Sequence, residues 1–205
     1  MKILCRASLL LAAGLPLIAQ DAGANRDWEY SFSASGYIVP DTPFFVSPTF
    51  TADHDWLHLE ARYNYEDHKT GSVWAGYNFS GGDKLSWSIT PMVGGVFGQT
   101  AGVAPGYQWT LDYKKLAFSS TGEYVIDTKD SSASYFYTWS ELSYSPVDWL
   151  RAGIAIQRTK VYHTGLDIQR GFLVGFSRKK IDFTTYVFNA GWTDPTVIFT
   201  LGARF

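Results

Sequence analysis

Alternation of apolar and polar side chains is the feature that most restricts how this chain can fold. It is clearest in WLHLEARYNYE, which runs from Trp56 to Glu66. In an extended strand the side chains of this stretch separate into two faces. One face is apolar, with Leu57, Leu59, Ala61, Tyr63 and Tyr65, and the other is polar, with His58, Glu60, Arg62, Asn64 and Glu66. A helix would mix the two sets, so the pattern predicts a β-strand.

The same period of two recurs along almost the whole chain and predicts twelve strands, or ten if two of the junctions are bends within a strand. Their approximate ranges are 27–38, 43–52, 55–66, 70–80, 84–99, 101–113, 115–127, 132–145, 148–161, 165–178, 181–190 and 195–205. Every second junction is a short polar turn, and the chain restarts similarly after each one, as DWLHL, DKLSW, KKLAF, DWLRA and KKIDF. We interpret this as a repeated two-strand hairpin whose other connections are somewhat longer.

The N-terminal stretch MKILCRASLLLAAGLPLIAQ has the pattern of a secretory signal peptide. Two basic residues, Lys2 and Arg6, precede an apolar run that is too short to span a membrane, and small residues follow near Ala19. We predict a cleaved signal over residues 1–19 and a barrel over residues 20–205, with Ala22 and Ala24 as alternative cleavage sites. Cys5 is the only cysteine, so the exported chain would contain no disulfide.

Composition agrees with an exported β-protein that does not bind nucleic acid. The net charge is −2, whereas nucleic-acid partners favour a basic surface. Aromatic residues make up 17% of the chain and glycine is abundant, with 19 residues, as in strands joined by turns. After the signal, no stretch approaches the length of apolar sequence that a membrane-spanning helix needs.

The direction of the apolar face separates a membrane barrel from a soluble one. The polar face carries both charge and bulk, whereas the other face is apolar and aromatic and has almost no Lys or Glu. Aromatic residues also cluster beside the turns, as the rings at both rims of a membrane barrel do. A soluble barrel of lipocalin type would have to bury the charged face, so we expect the apolar face to point outward.

The last ten residues, TVIFTLGARF, alternate apolar and polar side chains and end in Phe205. With the signal peptide and the strand count, they resemble the terminal strand of bacterial outer-membrane β-barrel proteins. The resemblance implies an all-β fold, a single antiparallel up-and-down transmembrane barrel with its short turns on the periplasmic side. It also implies a location in the outer membrane, contact with the lipid bilayer, and recognition of the last strand by the barrel-assembly machinery.

Inside such a barrel, the larger and charged side chains of the polar face are the candidate functional residues. The predicted lumen-lining set is His58, Glu60, Arg62, Glu66, Trp74, Glu123, Tyr137, Trp139, Glu141, Arg151 and Asp182. We expect Glu60 and Arg62 to project to the same side and Glu141 to lie near Arg151. These groups are either structural ion pairs or a solute path whose selectivity they set. The loops are expected to be too short to fold far inward.

Two arginines break the alternation. Arg158 and Arg170 fall with Ile156 and Phe172 on the predicted lipid side, near the outer rim of neighbouring strands. They could contact phosphates of lipopolysaccharide. The alternative that we favour is a β-bulge that returns each arginine to the lumen.

The sequence shows no arrangement of catalytic residues that is typical of an enzyme. His163 has no neighbouring nucleophile and base, and the resemblance to outer-membrane phospholipases stops at the number of strands because their His-Ser arrangement is absent. We expect no catalytic residues, metal or cofactor. The leading prediction is a small passive channel or solute-transport barrel with a narrow polar lumen. The alternatives are a non-conducting structural, adhesive or lipid-interacting barrel, and then a lipid-modifying enzyme.

Overall fold

A computed structural model describes residues 27–191 and 194–205, so the predicted signal peptide lies outside the described residues. The described chain forms thirteen β-segments and one short 3-10 helix, Ser131–Ala133. The segments are β1 Glu29–Ile38, β2 Phe45–His54, β3 Leu57–Tyr63, β4 Thr70–Tyr77, β5 Phe79–Gly81, β6 Leu85–Gly98, β7 Gly102–Tyr113, β8 Leu116–Asp127, β9 Tyr135–Val147, β10 Leu150–Val161, β11 Asp167–Arg178, β12 Ile181–Phe188 and β13 Thr196–Arg204. Within the described ranges no helix is long and apolar enough to cross a membrane.

The segments form one closed antiparallel barrel of twelve strands. β4 and β5 are two parts of one strand, because both pair with β6 and only Asn78 separates them. Each strand pairs with its neighbour in sequence, and β1 pairs with β13 to close the circle. The predicted fold class, including the count of twelve, is therefore confirmed.

Strand connections differ between the two ends of the barrel. At the turn end, β2 and β3, β7 and β8, and β11 and β12 are joined by two residues each. The first residue of each of these turns has a left-handed backbone: Asp55, Lys114 and Lys179 have φ of 50°, 56° and 57°. Both described chain ends also lie at the turn end. The opposite, loop end carries longer connections, such as 39–44, 64–69, 128–134 and 162–166.

The barrel exposes its apolar face and encloses its polar face. At the β1–β13 junction, Ala34 pairs with Leu201 on the outside, whereas Ser35 pairs with Thr200 on the inside. The two inward hydroxyl oxygens are 2.8 Å apart and buried. Val73 is 55% exposed on the outer face of β4, although its inward neighbour Trp74 is only 3% exposed. Apolar side chains outside and polar side chains inside are the reverse of a soluble protein, and this arrangement suits a hydrocarbon environment.

Aromatic rings on the outer face collect at the turn end of the barrel. Trp56 and Tyr77 stack with ring centroids 5.1 Å apart, and Trp149 and Phe176 stack at 6.2 Å. Trp28 stacks on Tyr30, also at 6.2 Å. Amphipathic rings favour the boundary between lipid and water, so these pairs indicate where one membrane interface lies.

Inside the barrel, glycine on β6 makes room for a large inward side chain. Gly94 pairs with Trp74 across the β4–β6 ladder, and a Cβ atom on Gly94 would lie 2.4 Å from Cδ2 of the indole. The next residue, Gly95, faces outward, and a Cβ atom there would have nothing within 4 Å. The indole ring of Trp74 can therefore occupy its position only because residue 94 is a glycine.

The adjacent glycines give a matched test of this packing. Gly94→Ala should lower the free energy of unfolding by about 1–3 kcal/mol, because the indole must move within a packed interior. Gly95→Ala should leave it unchanged within about 0.5 kcal/mol. Denaturant unfolding of both variants in the same lipid vesicles, followed by tryptophan fluorescence, measures the difference. Equal unfolding midpoints for the two variants would contradict the assigned inward packing of Trp74.

Candidate functional site

β3 carries the charged groups at the centre of the lumen. Its inward positions are His58, Glu60 and Arg62, which are 1%, 7% and 5% exposed. The period of two aligns these three side chains on one face of the strand, as the sequence predicts. Because water hardly reaches them, their charges have to be satisfied by neighbouring groups.

Arg62 is held by carboxylates from two sides of the barrel. Its Nε and Nη2 donate to the two oxygens of Glu60, at 2.7 Å and 3.1 Å. Its Nη1 donates to Glu123 on β8 at 2.9 Å and lies 3.6 Å from an oxygen of Glu66. A planar guanidinium with donors in fixed directions suits such a site. The contact to Glu123 links β3 to β8 across the interior.

Two aromatic rings enclose the same guanidinium group. Cζ of Arg62 lies 4.2 Å from the ring centroid of Tyr65 and 4.5 Å from that of Trp74. Cation–π attraction is strongest where water is excluded, as it is here. We call Arg62, Glu60, Glu66, Glu123 and His58 the charged cluster.

Further hydrogen bonds extend the charged cluster on the turn side. The ring nitrogens of His58 lie 2.8 Å from an oxygen of Asp53 and 3.3 Å from an oxygen of Glu60. Gln108 of β7 donates to that same oxygen of Glu60 at 2.8 Å. Glu60 therefore accepts from groups on both flanks, which holds its carboxylate in one orientation.

The connection between β3 and β4 folds into the lumen, which corrects two expectations from the sequence. The strand ends at Tyr63 and not at Glu66, because Asn64 adopts a left-handed backbone with φ of 52° and breaks the alternation. Tyr65, predicted on the lipid face, consequently turns inward beside Glu66, and both are buried. The expectation that the loops are too short to fold inward is therefore wrong for this connection.

Hydrogen bonds retain the connection inside the lumen. Ser72 donates to Glu66 at 2.5 Å, and Tyr135 of β9 donates to the backbone oxygen of Glu66 at 2.8 Å. Asn64 donates to the carbonyl oxygen of Val46 at 3.0 Å, and its own side-chain oxygen accepts from the amide of Lys69 at 2.8 Å. These hydrogen bonds thus hold the connection at Asn64, where it begins, and at Glu66, inside the lumen.

A second buried ionic group lies on β10 and β12. Arg151 donates to Asp182 at 3.0 Å and also hydrogen-bonds to Thr184. Glu141 instead accepts from Trp139 at 2.6 Å and from Tyr186 at 2.9 Å. No ion pair within 4 Å joins Glu141 to Arg151 in the described chain.

The expected proximity of Glu141 and Arg151 thus gives way to an Arg151–Asp182 pair. Arg151 lies beside the turn between β9 and β10, where the register shifts between Leu150 and Ala152. Glu141 then pairs with Ala155, four residues further along β10. The shift changes this register by only one position, so Glu141 and Arg151 lie apart because they occupy different levels of the hairpin.

Above the charged cluster, toward the loop end, aromatic side chains fill the lumen. These rings form the aromatic layer, which consists of Tyr37, Phe45, Tyr65, Trp74, Tyr135, Tyr137, Trp139, Tyr186 and Phe188. The most exposed of them, Phe45, is only 9% exposed. Trp139 contacts both Tyr186 and Phe188 edge-on, with each pair of ring centroids 5.1 Å apart. The rings of the aromatic layer are therefore packed together and shielded from solvent.

Below the charged cluster, toward the turn end, the lumen is hydrophilic and partly open. We call this space the inner chamber. Its inward hydroxyl residues are Ser31, Ser33, Thr49, Thr51, Thr110, Ser119 and Thr121, and Glu60 and Arg62 also line it. The cavity has a volume of about 70 Å³, which is room for a few water molecules. The inner chamber therefore lies toward the turn end of the described barrel, and the packed rings lie toward the loop end.

The structure places the sequence-predicted lumen residues as follows. All of the following are buried within the barrel: His58, Glu60, Arg62, Glu66, Trp74, Glu123, Tyr137, Trp139, Glu141, Arg151 and Asp182. Tyr65 and Gln108 also contact the charged cluster but are not in the predicted set. Tyr65 was missed because of the backbone change at Asn64. Gln108 could have been found from its place between Tyr107 and Trp109 on an alternating strand.

Arg158 and Arg170 lie on the outer face, and the favoured bulge is wrong. The β10–β11 ladder is regular, with Arg158 opposite Ile168 and Arg170 opposite Ile156. Both arginines are exposed. They share the outer surface with apolar neighbours such as Phe172.

Among the described residues, no group of three or more His, Cys, Asp or Glu side chains has an arrangement that could hold a metal ion. The carboxylates of the charged cluster converge on the guanidinium of Arg62. These carboxylates therefore serve as hydrogen-bond acceptors and counter-charges within the lumen.

Comparison with known proteins identifies the fold. No protein-family model and no curated protein sequence matches the chain. Among solved structures, a KdgM porin is 12% identical, with 85% of this chain and 99% of the porin aligned at a TM-score of 0.63. A KdgM porin in complex with disordered oligogalacturonate is 10% identical, with 85% and 98% aligned and a TM-score of 0.58. The Acinetobacter baumannii outer membrane protein Omp33 is 11% identical, with 88% and 99% aligned and a TM-score of 0.52.

These structures are outer-membrane β-barrels, and this chain has their fold. The sequence prediction of a bacterial outer-membrane β-barrel is confirmed at the level of this fold class. At 10–12% identity the similarity does not transfer a ligand or a residue role.

Removing the central cation tests the energetics of the charged cluster. Arg62→Met keeps much of the side-chain volume but leaves Glu60, Glu66 and Glu123 facing one another without their cation. We expect the free energy of unfolding to fall by about 3–5 kcal/mol. Arg178→Met, on the exposed turn end of β11, should change it by less than about 0.5 kcal/mol.

Denaturant unfolding of the two variants in lipid vesicles provides the measurement. Addition of Glu123→Gln to the Arg62→Met variant should recover part of the loss, because one of the facing charges is removed. If Arg62→Met were as stable as Arg178→Met, the charged cluster would not contribute to folding in the way described.

Proposed function

We propose that this protein is a narrow outer-membrane channel for small cationic or neutral solutes, with its path along the lumen. The observation that carries the proposal is the excess of buried carboxylates in the interior. Six acidic side chains are buried there, against two arginines and one histidine: the acids are Glu60, Glu66, Glu123, Asp127, Glu141 and Asp182, and the basic residues are Arg62, Arg151 and His58. Fixed negative charge around a narrow path attracts cations and excludes anions.

The arrangement of the lumen supports a path that is closed in this conformation. The inner chamber ends at Glu60 and Arg62, and the aromatic layer fills the lumen toward the loop end. Tyr137 belongs to this layer, and its hydroxyl group is buried without a hydrogen-bond partner. A side chain that makes no hydrogen bond can move at a lower free-energy cost than Tyr135 or Tyr186, whose hydroxyl groups donate hydrogen bonds. The proposed path therefore passes Tyr137.

The ligand named in one of the matched structures does not fit this interior. Oligogalacturonate is a carbohydrate whose units carry carboxylates, and it would meet the carboxylates of the charged cluster. Arg62, the cation nearest to the inner chamber, already contacts Glu60 and Glu123. Like charges at close distance in a poorly hydrated lumen repel strongly. This chain thus shares the fold of that porin, but the class of solute that we propose for it is different.

A second candidate, a non-conducting barrel, is favoured by the aromatic layer itself. Its rings are no more than 9% exposed, as in a packed protein interior. In that case the charged cluster and the Arg151–Asp182 pair would serve to fill and stabilise the lumen. The two candidates differ in whether ions cross the protein.

Currents through the purified protein in a planar bilayer separate the candidates. Under a KCl gradient we expect small stepwise currents whose reversal potential shows a preference for potassium. Tyr137→Ala should increase the conductance severalfold, because it removes a ring from the closed section. Glu123→Gln should reduce the cation preference, whereas Asp130→Asn, in the exposed connection after β8, should leave it unchanged.

Two results would contradict the channel. If the wild type and Tyr137→Ala were both silent although the barrels are folded, the non-conducting candidate would be the correct one. If currents appeared with a preference for chloride, the carboxylates would not control the path.

A further inference from the structure

One sector of the outer surface departs from the apolar pattern of the barrel. Arg158 and Lys160 on β10 and Arg170 on β11 point outward and are exposed. Between the aromatic rims, the outer faces of the other described strands carry no Lys, Arg, Asp or Glu. The three basic side chains therefore form one localised group, which we call the basic patch.

Among the described residues, no acidic side chain forms an ion pair with the basic patch. Arg158 and Arg170 are diagonal neighbours in the β10–β11 ladder, which places their Cα atoms about 7 Å apart. No ion pair within 4 Å involves either arginine or Lys160 in residues 27–191 and 194–205. The facing outward residues are Ile156, Ile168 and Phe172. Neighbouring like charges on an apolar surface are stabilised by an external anion.

The height of the basic patch identifies where that anion lies. Strands tilted by ~40° rise about 2.6 Å per residue along the barrel axis. Arg158 follows the turn-end ring Trp149 by about nine residues, which corresponds to ~23 Å, against an apolar band ~25 Å tall. The basic patch is thus at the loop-end edge of the hydrocarbon, where charged lipid head groups begin.

An apolar groove lies directly beside the basic patch. It has a volume of about 470 Å³ and is lined by Tyr124, Phe136, Lys160, Val161, Tyr162, His163 and Thr164. Lys160 belongs to both features, so the groove and the basic patch form one continuous surface. Phosphate-binding side chains and an apolar groove are together what a phosphorylated lipid with acyl chains requires.

We propose that this surface binds the phosphorylated lipid A portion of lipopolysaccharide in the outer leaflet. Arg158 and Arg170 contact a phosphate group, Lys160 contacts the same or the second phosphate, and an acyl chain occupies the groove between Phe136 and Tyr162. The proposal rests on the proposed membrane orientation, with the loop end outward, and not on conduction. Binding and currents are measured separately, so either proposal can fail alone.

The test is a titration of the purified, detergent-solubilised barrel with bisphosphorylated lipid A, followed by native mass spectrometry. The variant is Arg158→Gln with Arg170→Gln. The matched control is Arg178→Gln with Lys179→Gln, which removes the same charge from the turn end of the same sector. We expect at least tenfold weaker binding for the first variant and less than a twofold change for the control. Retention of the compact gel mobility of unboiled samples shows that both variants are folded.

Lipid controls separate the phosphorylated glycolipid from other occupants. Dephosphorylated lipid A, which keeps its acyl chains, should bind the wild type at least tenfold more weakly. Phosphatidylglycerol should bind weakly and without dependence on Arg158 and Arg170. The proposal would be overturned by equal binding of lipid A to both double variants, by equal binding of the dephosphorylated lipid, or by phosphatidylglycerol competing as strongly as lipid A.

Discussion

Backbone hydrogen bonding in a medium without water is the constraint on which the structure depends. Lipid offers no partner for an amide or carbonyl group, so a spanning sheet must close on itself. The ladder between β1 and β13 supplies this closure and runs from Ser31 opposite Arg204 to Ile38 opposite Val197. Closure divides every strand into an outward and an inward face. Apolar side chains then take the hydrocarbon side, and all large polar groups are forced into a narrow interior.

That interior has to satisfy its charges within a small volume. Arg62 does so by gathering carboxylates from different strands and by lying between two aromatic rings. The inner chamber below it remains hydrophilic, whereas the aromatic layer above it is packed like a protein core. This difference along the barrel axis, with hydroxyl side chains toward the turn end and packed rings toward the loop end, is the basis of the proposed path. The remaining acidic excess accounts for the proposed preference for cations, because fixed charges in a confined lumen are only weakly screened.

The sequence predicted what depends on local alternation and missed what depends on contacts across the lumen. Twelve strands and the inward set on β3 follow from a period of two. The prediction failed at Asn64, where a left-handed residue ended β3 early and turned Tyr65 inward. It also failed for Glu141 and Arg151, which lie at different levels of the β9–β10 hairpin. The link between Arg62 and Glu123 joins residues that are 61 positions apart, so no local pattern contains it. At Arg158 and Arg170 the alternation continues into the outer face, and the favoured β-bulge does not form.

The central claim is the orientation of the two faces, and spin-label accessibility on β1 tests it most directly. Single cysteines at Ser33, Ala34 and Ser35 are conservative changes in small side chains, and the described chain has no cysteine of its own. In reconstituted vesicles, collisions of the label with dissolved oxygen should be frequent at position 34 and rare at positions 33 and 35. High oxygen accessibility at 33 and 35, with a low value at 34, would show that the polar face meets the lipid and would contradict the account.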